Sequence, residues 1–415
     1  MNAPGLRRRR VATWTVALAA LVATACREDA APVPSGAATP TASAAPTEPA
    51  RPRVQPTVRP GYRRPKLVDV HGHLSIFGVW RIEHILEDVG IGAIVNLSGG
   101  SGRGGRQSWM LAQILSERLG GRVLNFANVD WQGCCDPAWG LREAARLETA
   151  VRDHQFRGLK ISKALGLSVR DRDRNLVAVD DPRLDPLWQA AGRLGIPVAI
   201  HIADPKAFWL PPTADNERYA ELSVHPGWSW YQRGVPDWSA LLDAGDRLFA
   251  RHPGTTFVAV HFGNAAEDLE RVTRMLERLP NVWLDLSARV GEFGRHPPEA
   301  VRALMVRFAD RILFGTDIGV GEEMLMLGSN GAVEPQMSDV VPFYDAHFRY
   351  FEGSERQIDH PSPIQGNWKV DAIELPDAVL DKIYRDNAVR LFDLDPTTLI
   401  PRPRRSPSPP PAATP

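Results

Sequence analysis

His71, His73, His201, His261 and Asp317 each stand at or beside the end of a short apolar run: LVDVHGH at 67–73, IPVAIH at 196–201, TFVAVH at 256–261 and RILFGTD at 311–317. Imidazole nitrogen and carboxylate oxygen are the donors that Zn²⁺ and related divalent ions accept, and a catalytic site keeps one position open for water. Side chains along a strand alternate with period two, so the imidazoles of His71 and His73 share one side and can share one ion. A single histidine at a strand end is more often a packed or surface residue. Repeated at four run ends, the pattern points to a metal site. His84, His154, His225, His252, His296, His347 and His360 lie in helical or loop patterns and read as structural.

The elements that must carry these residues follow from hydrophobic patterning. Apolar, β-rich runs recur at 67–71, 91–97, 123–129, 158–161, 197–201, 257–261, 282–287 and 312–317. Between most of them lie amphipathic helical patterns, at 80–89, 108–119, 141–154, 184–194, 241–251 and 267–279. Strand followed by helix, repeated eight times, predicts an α/β fold, a (β/α)8 TIM barrel. Two stretches are longer than a barrel needs. Residues 202–237, after strand five, hold Phe208, Trp209, Tyr219, Trp228, Trp230 and Tyr231 among several prolines, and 319–368 follow strand eight. Segments after barrel strands lie on the catalytic face, so the aromatic insertion is placed to roof the pocket, with Trp228 and Trp230 as candidate substrate contacts; a packed surface loop is the alternative. A final amphipathic helix spans 375–392.

Composition sets the bounds. A chain of 415 residues, 43% hydrophobic and 24% charged, can bury a large core. Its 49 basic and 49 acidic residues balance, and no basic run falls in the folded region, which argues against a nucleic-acid partner and leaves a small-molecule substrate. Arg7–Arg10, the apolar run 11–22 and Ala23-Thr24-Ala25 before Cys26 form an export signal over 1–25. Small residues followed by cysteine resemble a bacterial lipoprotein signal, with Cys26 the lipidated residue; cleavage and secretion is the alternative, and a membrane is met only through that lipid. Residues 26–64, rich in Pro, Ala and Thr, read as a tether, 65–397 as the barrel and 398–415 as a Pro-rich tail. Cys134 and Cys135 are expected as two half-buried thiols, because adjacent cysteines rarely bridge.

Taken together, His-x-His on strand one, Gly-Leu-Lys on strand four, single histidines ending strands five and six, Phe-Gly-Thr-Asp on strand eight and KIYRDNAVRLF at 382–392 resemble the amidohydrolase superfamily, in the branch that also holds non-oxidative decarboxylases. The resemblance covers about residues 66–395. It implies His71, His73, His201 and Asp317 as ligands of one divalent ion, most simply Zn²⁺, with Asp317 also managing the proton of its water. His261 is then the acid/base or electrophilic residue. A bound Zn²⁺ brings the pKa of its water from about 16 to about 7. In two-metal members, the lysine ending strand four is carbamylated and bridges both ions; Lys160 holds that position, and His261 would then bind the second metal.

Arg289, after strand seven, is placed to hold a substrate carboxylate, with a solvent-facing arginine as the equal alternative. The glycine-rich SGGSGRGGR at 98–106 lacks the Gly-Lys-Ser/Thr of a P-loop and reads as a flexible loop. The expected function is hydrolysis of an amide, lactone or ester-type bond through metal-activated water. The runner-up is non-oxidative decarboxylation of an aromatic or unsaturated acid. A third reading is a catalytically silent binding barrel, which would have no reason to keep every candidate ligand.

Overall fold

A computed structural model describes residues 59–102 and 106–403. The export signal, Cys26, most of the tether and the end of the tail lie outside the described residues. Eight parallel strands form the wall: β1 (Leu67–Leu74), β2 (Ile91–Asn96), β3 (Val123–Asn128), β4 (Gly158–Ile161), β5 (Val198–Ile200), β6 (Phe257–Ala259), β7 (Val282–Asp285) and β8 (Ile312–Leu313), each paired with the next in chain order. The eighth strand is broken. It pairs with β7, leaves the strand conformation, and resumes as β9 (Ile318–Val320), which pairs with β1. Across the break, Val70 N donates to Phe314 O at 2.9 Å and Asp317 N to His71 O at 2.9 Å, so this segment closes the barrel. Asp317 itself has φ 63. The expected run 312–317 keeps strand pairing only to Leu313, and pairing resumes at Ile318, just past this left-handed residue.

Alternation along the short strands sorts their residues. On β4, Leu159 and Ile161 pack into the layer beneath the helices, and Lys160 between them faces inward. On β5, Val198 and Ile200 pack outward and Ala199 inward. The barrel interior is a separate core of Val68, Val95, Phe126, Val258 and Leu313, closed at its amino-terminal end by Phe392, Leu394 and Leu399. The rings of Phe126 and Phe392 meet edge to face at 5.9 Å. The folded unit therefore runs past 397: Leu399, expected in the tail, is 1% exposed. It also begins before 65, because Arg59 and Tyr62 bond to Glu352 O and Asp381, and Arg64 pairs with Glu352 at 2.7 Å.

The expected helices are present at Val79–Val89, Arg106–Arg118, Trp139–Asp153, Asp185–Leu194, Trp238–Arg251 and Leu269–Arg278. Pro298–Arg307, which the patterning did not single out, supplies the helix after β7. The final helix is interrupted by a π-helical turn at Lys382–Asp386. The excursion after strand eight contains β9, an antiparallel β10 (Leu325–Leu327) and a helix, Val340–Glu352. Among the described residues no helix is long and apolar enough to cross a membrane.

One expectation fails. Cys134 and Cys135 are bonded to each other and buried, in the turn that follows β3. Cys134 N donates to Trp131 O, and Cys135 takes a left-handed φ of 71. The expectation rested on how rarely adjacent cysteines bridge; this turn holds the two side chains together.

Candidate metal centre

Strand ends and strained turns bring the five residues to the carboxyl end of the barrel. The pairing of β1 with β2 slips in register between Asp69 and Gly72, a local irregularity of the kind that re-aims side chains. His71 Nε2 lies 3.4 Å from Asp317 Oδ1, and His73 Nε2 3.3 Å from the same oxygen. The His261 ring stands 4.7 Å from that of His71 and 4.4 Å from that of His201. Among the described residues one group of candidate donor atoms, from His71, His261 and Asp317, falls within 4.8 Å; His73 lies against Asp317 and the His201 ring against that of His261. The other seven histidines each bond to a partner elsewhere.

His261, at φ 56, and Ala288, at φ 51, join Asp317 in the left-handed region. Such backbone costs of order 1–3 kcal/mol per residue and persists where the surroundings impose it. At His261 and in the turn before Ala288, Asp285 does so. Its Oδ1 accepts from the amides of His261 (2.8 Å) and Ser287 (3.2 Å) and from Ser287 Oγ (2.6 Å), while its Oδ2 takes His71 Nδ1 at 2.8 Å. With Nδ1 committed, Nε2 is the nitrogen His71 offers. His73 and His261 follow the same rule, since their Nδ1 atoms face Ser98 Oγ (2.7 Å) and Ser287 O (3.0 Å).

Buried polar atoms normally find partners. Among the described residues, His71 Nε2, His201 Nε2, Lys160 Nζ and Asp317 Oδ1 are buried and have no hydrogen-bond partner. Three are imidazole or carboxylate donors of the kind a divalent cation accepts, so the residues fit the ion. Protonation agrees. Burial holds the imidazolium forms of His71 and His261 down and brings His201 to about 4. Burial alone would raise the Asp317 carboxyl, but His71, His73 and Lys160 outweigh it and keep it below the usual carboxylate range. Neutral imidazoles around an ionised carboxylate are the ligand state of these groups. Burial lowers the Lys160 ammonium to about 8, against Asp285 and Asp317.

Sequence reasoning missed a second ring of carboxylates. Asp285 ends β7 as the candidate ligands end their strands, but the apolar run 282–287 continues past it and hides that end in the sequence. Asp69, fully buried, accepts from His71 N, Thr316 N, Thr316 Oγ1 (2.6 Å) and Tyr344 OH (2.7 Å), tying β1 to the broken eighth strand. Asp204, three residues past His201, takes both oxygens to Lys163 Nζ at 3.0 and 2.8 Å.

Arg289 is 6% exposed, and its charge bears on His261. The aromatic insertion is packed only in part: Phe208 and Leu222 are buried, while Leu210, Tyr219 and Tyr231 are exposed. Trp230 Nε1 donates to Asp204 Oδ2 at 2.8 Å, and Trp228 stacks on His225 at 4.0 Å with its ring 5.5 Å from Lys163 Nζ. Both tryptophans thus stand by the loops that follow β4 and β5. Of the glycine-rich loop, 103–105 lie outside the described residues; Ser98 meets His73.

A closed parallel barrel with histidines and an aspartate converging at the carboxyl ends of its strands defines a metal-dependent TIM-barrel enzyme. The model of the amidohydrolase family matches residues 107–394, and the chain belongs to that family. No curated protein matches it. Among solved structures it is similar to 2,6-dihydroxybenzoate decarboxylase from Rhizobium, at 17% identity and a TM-score of 0.45 over 79% of this chain and 98% of that one. It is also similar to 5-carboxyvanillate decarboxylase from Sphingomonas paucimobilis (14%, TM-score 0.46, 80% and 99%). A third is a dihydroxybenzoic acid decarboxylase from Polaromonas with bound manganese and 2-nitroresorcinol (15%, TM-score 0.46, 79% and 97%).

Proposed function

We propose that the protein is a metal-dependent hydrolase of an amide, lactone or ester-type bond in a small molecule. The observation that carries this is the set of unpartnered buried donors on His71, His201 and Asp317 at the barrel mouth. His71, His73, His201 and Asp317 would hold a single divalent ion, with Zn²⁺ the first choice for nitrogen and oxygen donors. When bound, the ion supplies Lewis-acid polarisation and acidifies a water to near neutrality. Asp317, ionised, accepts a proton and passes it to the leaving group. His261, neutral and fixed through Nδ1, presents its other edge to the substrate as acid/base or polarising group. Arg289 orients a substrate carboxylate and Lys160 faces the substrate from β4.

The second reading is non-oxidative decarboxylation of an aromatic or unsaturated acid, and Arg289 favours it: a buried guanidinium beside the reacting residues suits a substrate whose carboxylate must be held. Metal-loaded protein is offered a panel of carboxylate-bearing lactones, esters and amides alongside 2,6-dihydroxybenzoate. Acid formation with ¹⁸O taken up from labelled water is the expected result; carbon dioxide release without ¹⁸O uptake overturns the hydrolase reading. Export and lipidation at Cys26 are proposed on the Arg7–Arg10, apolar and small-residue pattern, and mass spectrometry of the mature amino terminus tests them.

A further inference from the structure

One hydroxyl ties two of the candidate residues together. Ser287 follows β7 and is fully buried, as are His71 on β1 and Asp285; His261, after β6, is buried too. Ser287 Oγ lies 2.6 Å from Asp285 Oδ1, 2.8 Å from His71 Nδ1 and 3.0 Å from His261 Nδ1. Three neighbours thus meet a group that has one hydrogen and two lone pairs.

The hydrogen has one place to go. Asp285 Oδ1 already receives the amides of His261 and Ser287, which can only donate, so this oxygen is an acceptor and the hydroxyl donates to it. The lone pairs of Oγ then face the two imidazoles, and a bare Nδ1 there would set lone pair against lone pair. Each Nδ1 therefore carries its hydrogen. The Ser287 carbonyl, 3.0 Å from His261 Nδ1, requires the same of that ring, and Asp285 Oδ2, 2.8 Å from His71 Nδ1, is the second acceptor for the other. Neutral His71 and His261 are both left with Nε2 bare.

We propose that Ser287 is a positioning residue that sets both rings in this one tautomer, so that His261 meets the reacting molecules as a hydrogen-bond acceptor and not as a donor. A neutral His261 has no hydrogen on Nε2 to place on a substrate carbonyl, which removes the polarising role. It receives the O–H of the attacking water instead and orients it. That role rests on the hydrolase reading above; the tautomer rests on the hydrogen bonds alone.

Histidine ¹⁵N NMR of the full chain tests this, with chelator present and at about pH 8, above the ordinary histidine range. His71→Gln and His261→Gln assign the two rings by loss of their signals. Nδ1–H with a bare Nε2 is expected for both. Ser287→Ala is expected to move the Nδ1 proton and nitrogen resonances of both rings at once, although they come from different strands. Those of His347, whose Nδ1 is 2.8 Å from Phe343 O, are expected to stay in place. A neutral His261 with its hydrogen on Nε2 overturns the proposal, and so does a folded Ser287→Ala protein in which either ring keeps its wild-type Nδ1 resonances. Should Ser287→Ala fail to fold, the wild-type spectrum decides alone. Zn²⁺ titration of the same sample tests the metal reading separately: a wild type that binds no Zn²⁺ refutes that reading and leaves the tautomers as measured.

Discussion

Asp285→Asn is the sharpest single perturbation of this centre. Asp285 is fully buried and has two duties: Oδ1 receives the His261 amide and Ser287, and Oδ2 receives His71 Nδ1 at 2.8 Å. An asparagine of the same shape must place its carbonyl oxygen on one side. Three donors converge on the Oδ1 position, so the amide NH₂ takes the Oδ2 position and faces His71 Nδ1. His71 answers by moving its proton to Nε2, the atom 3.4 Å from Asp317 that the metal reading requires to be bare. The variant thus keeps the volume and reverses the tautomer, and a charge-assisted bond worth about 1.5–3 kcal/mol is lost. At about 1.4 kcal/mol per decade this is roughly 10- to 150-fold in affinity, matching the usual effect of a ligand-orienting carboxylate. Chelator competition with Zn²⁺ gives the affinity and circular dichroism the fold. A well-folded Asp285→Asn protein binding Zn²⁺ within about twofold of wild type would refute the argument that His71 offers Nε2 to a metal.

Other outcomes follow from the same geometry. With chelator present, the thermal midpoint is expected to fall between pH 6.5 and 5. His201 titrates near 4 in the fold, and burial also lowers His71 and His261, so the unfolded chain takes up protons that the fold refuses and stability rises with pH across this window. Asp69, raised by burial to about 6, acts oppositely in the same window, so Asp69→Asn should steepen the fall; a midpoint that rises on acidification refutes the assignment of neutral histidines. Metal analysis is expected to show one equivalent in the wild type and in Lys160→Ala, and two equivalents lost in the variant would sink the single-ion reading. Arg289→Lys keeps the charge but loses the planar fork, so KM for a carboxylate-bearing substrate should rise about 10-fold with kcat less affected; equal effects on a substrate without a carboxylate remove the anchoring role.

How much of this was legible in the sequence depends on whether the information is periodic. Val198-Ala199-Ile200 and Phe257-Val258-Ala259 announce strands because buried parallel strands are continuous apolar runs, and the polar residue closing each run marks the catalytic mouth. His71, His73, His201, His261 and Asp317 were found that way; Asp285 was not, because the apolar run 282–287 continues past it. Asp69 and Asp204 lie outside the rule. Asp69 sits inside a run and gains its meaning only when Thr316 and Tyr344, far along the chain, arrive against it. Nor does periodicity foresee left-handed turns at residues that are not glycine. His261, Ala288 and Asp317 adopt them because the Asp285 and Asp69 carboxylates and the β1 backbone hold their turns: His261 N and Ser287 N bond to Asp285, Thr316 N to Asp69, and Asp317 N to His71 O. Cys135, at φ 71, is another such residue, in the turn that holds its bond to Cys134. Donors can be read from the ends of strands; the carboxylates that aim them can be read only from contacts between distant parts of the chain, and Asp285→Asn tests the aiming without touching a donor.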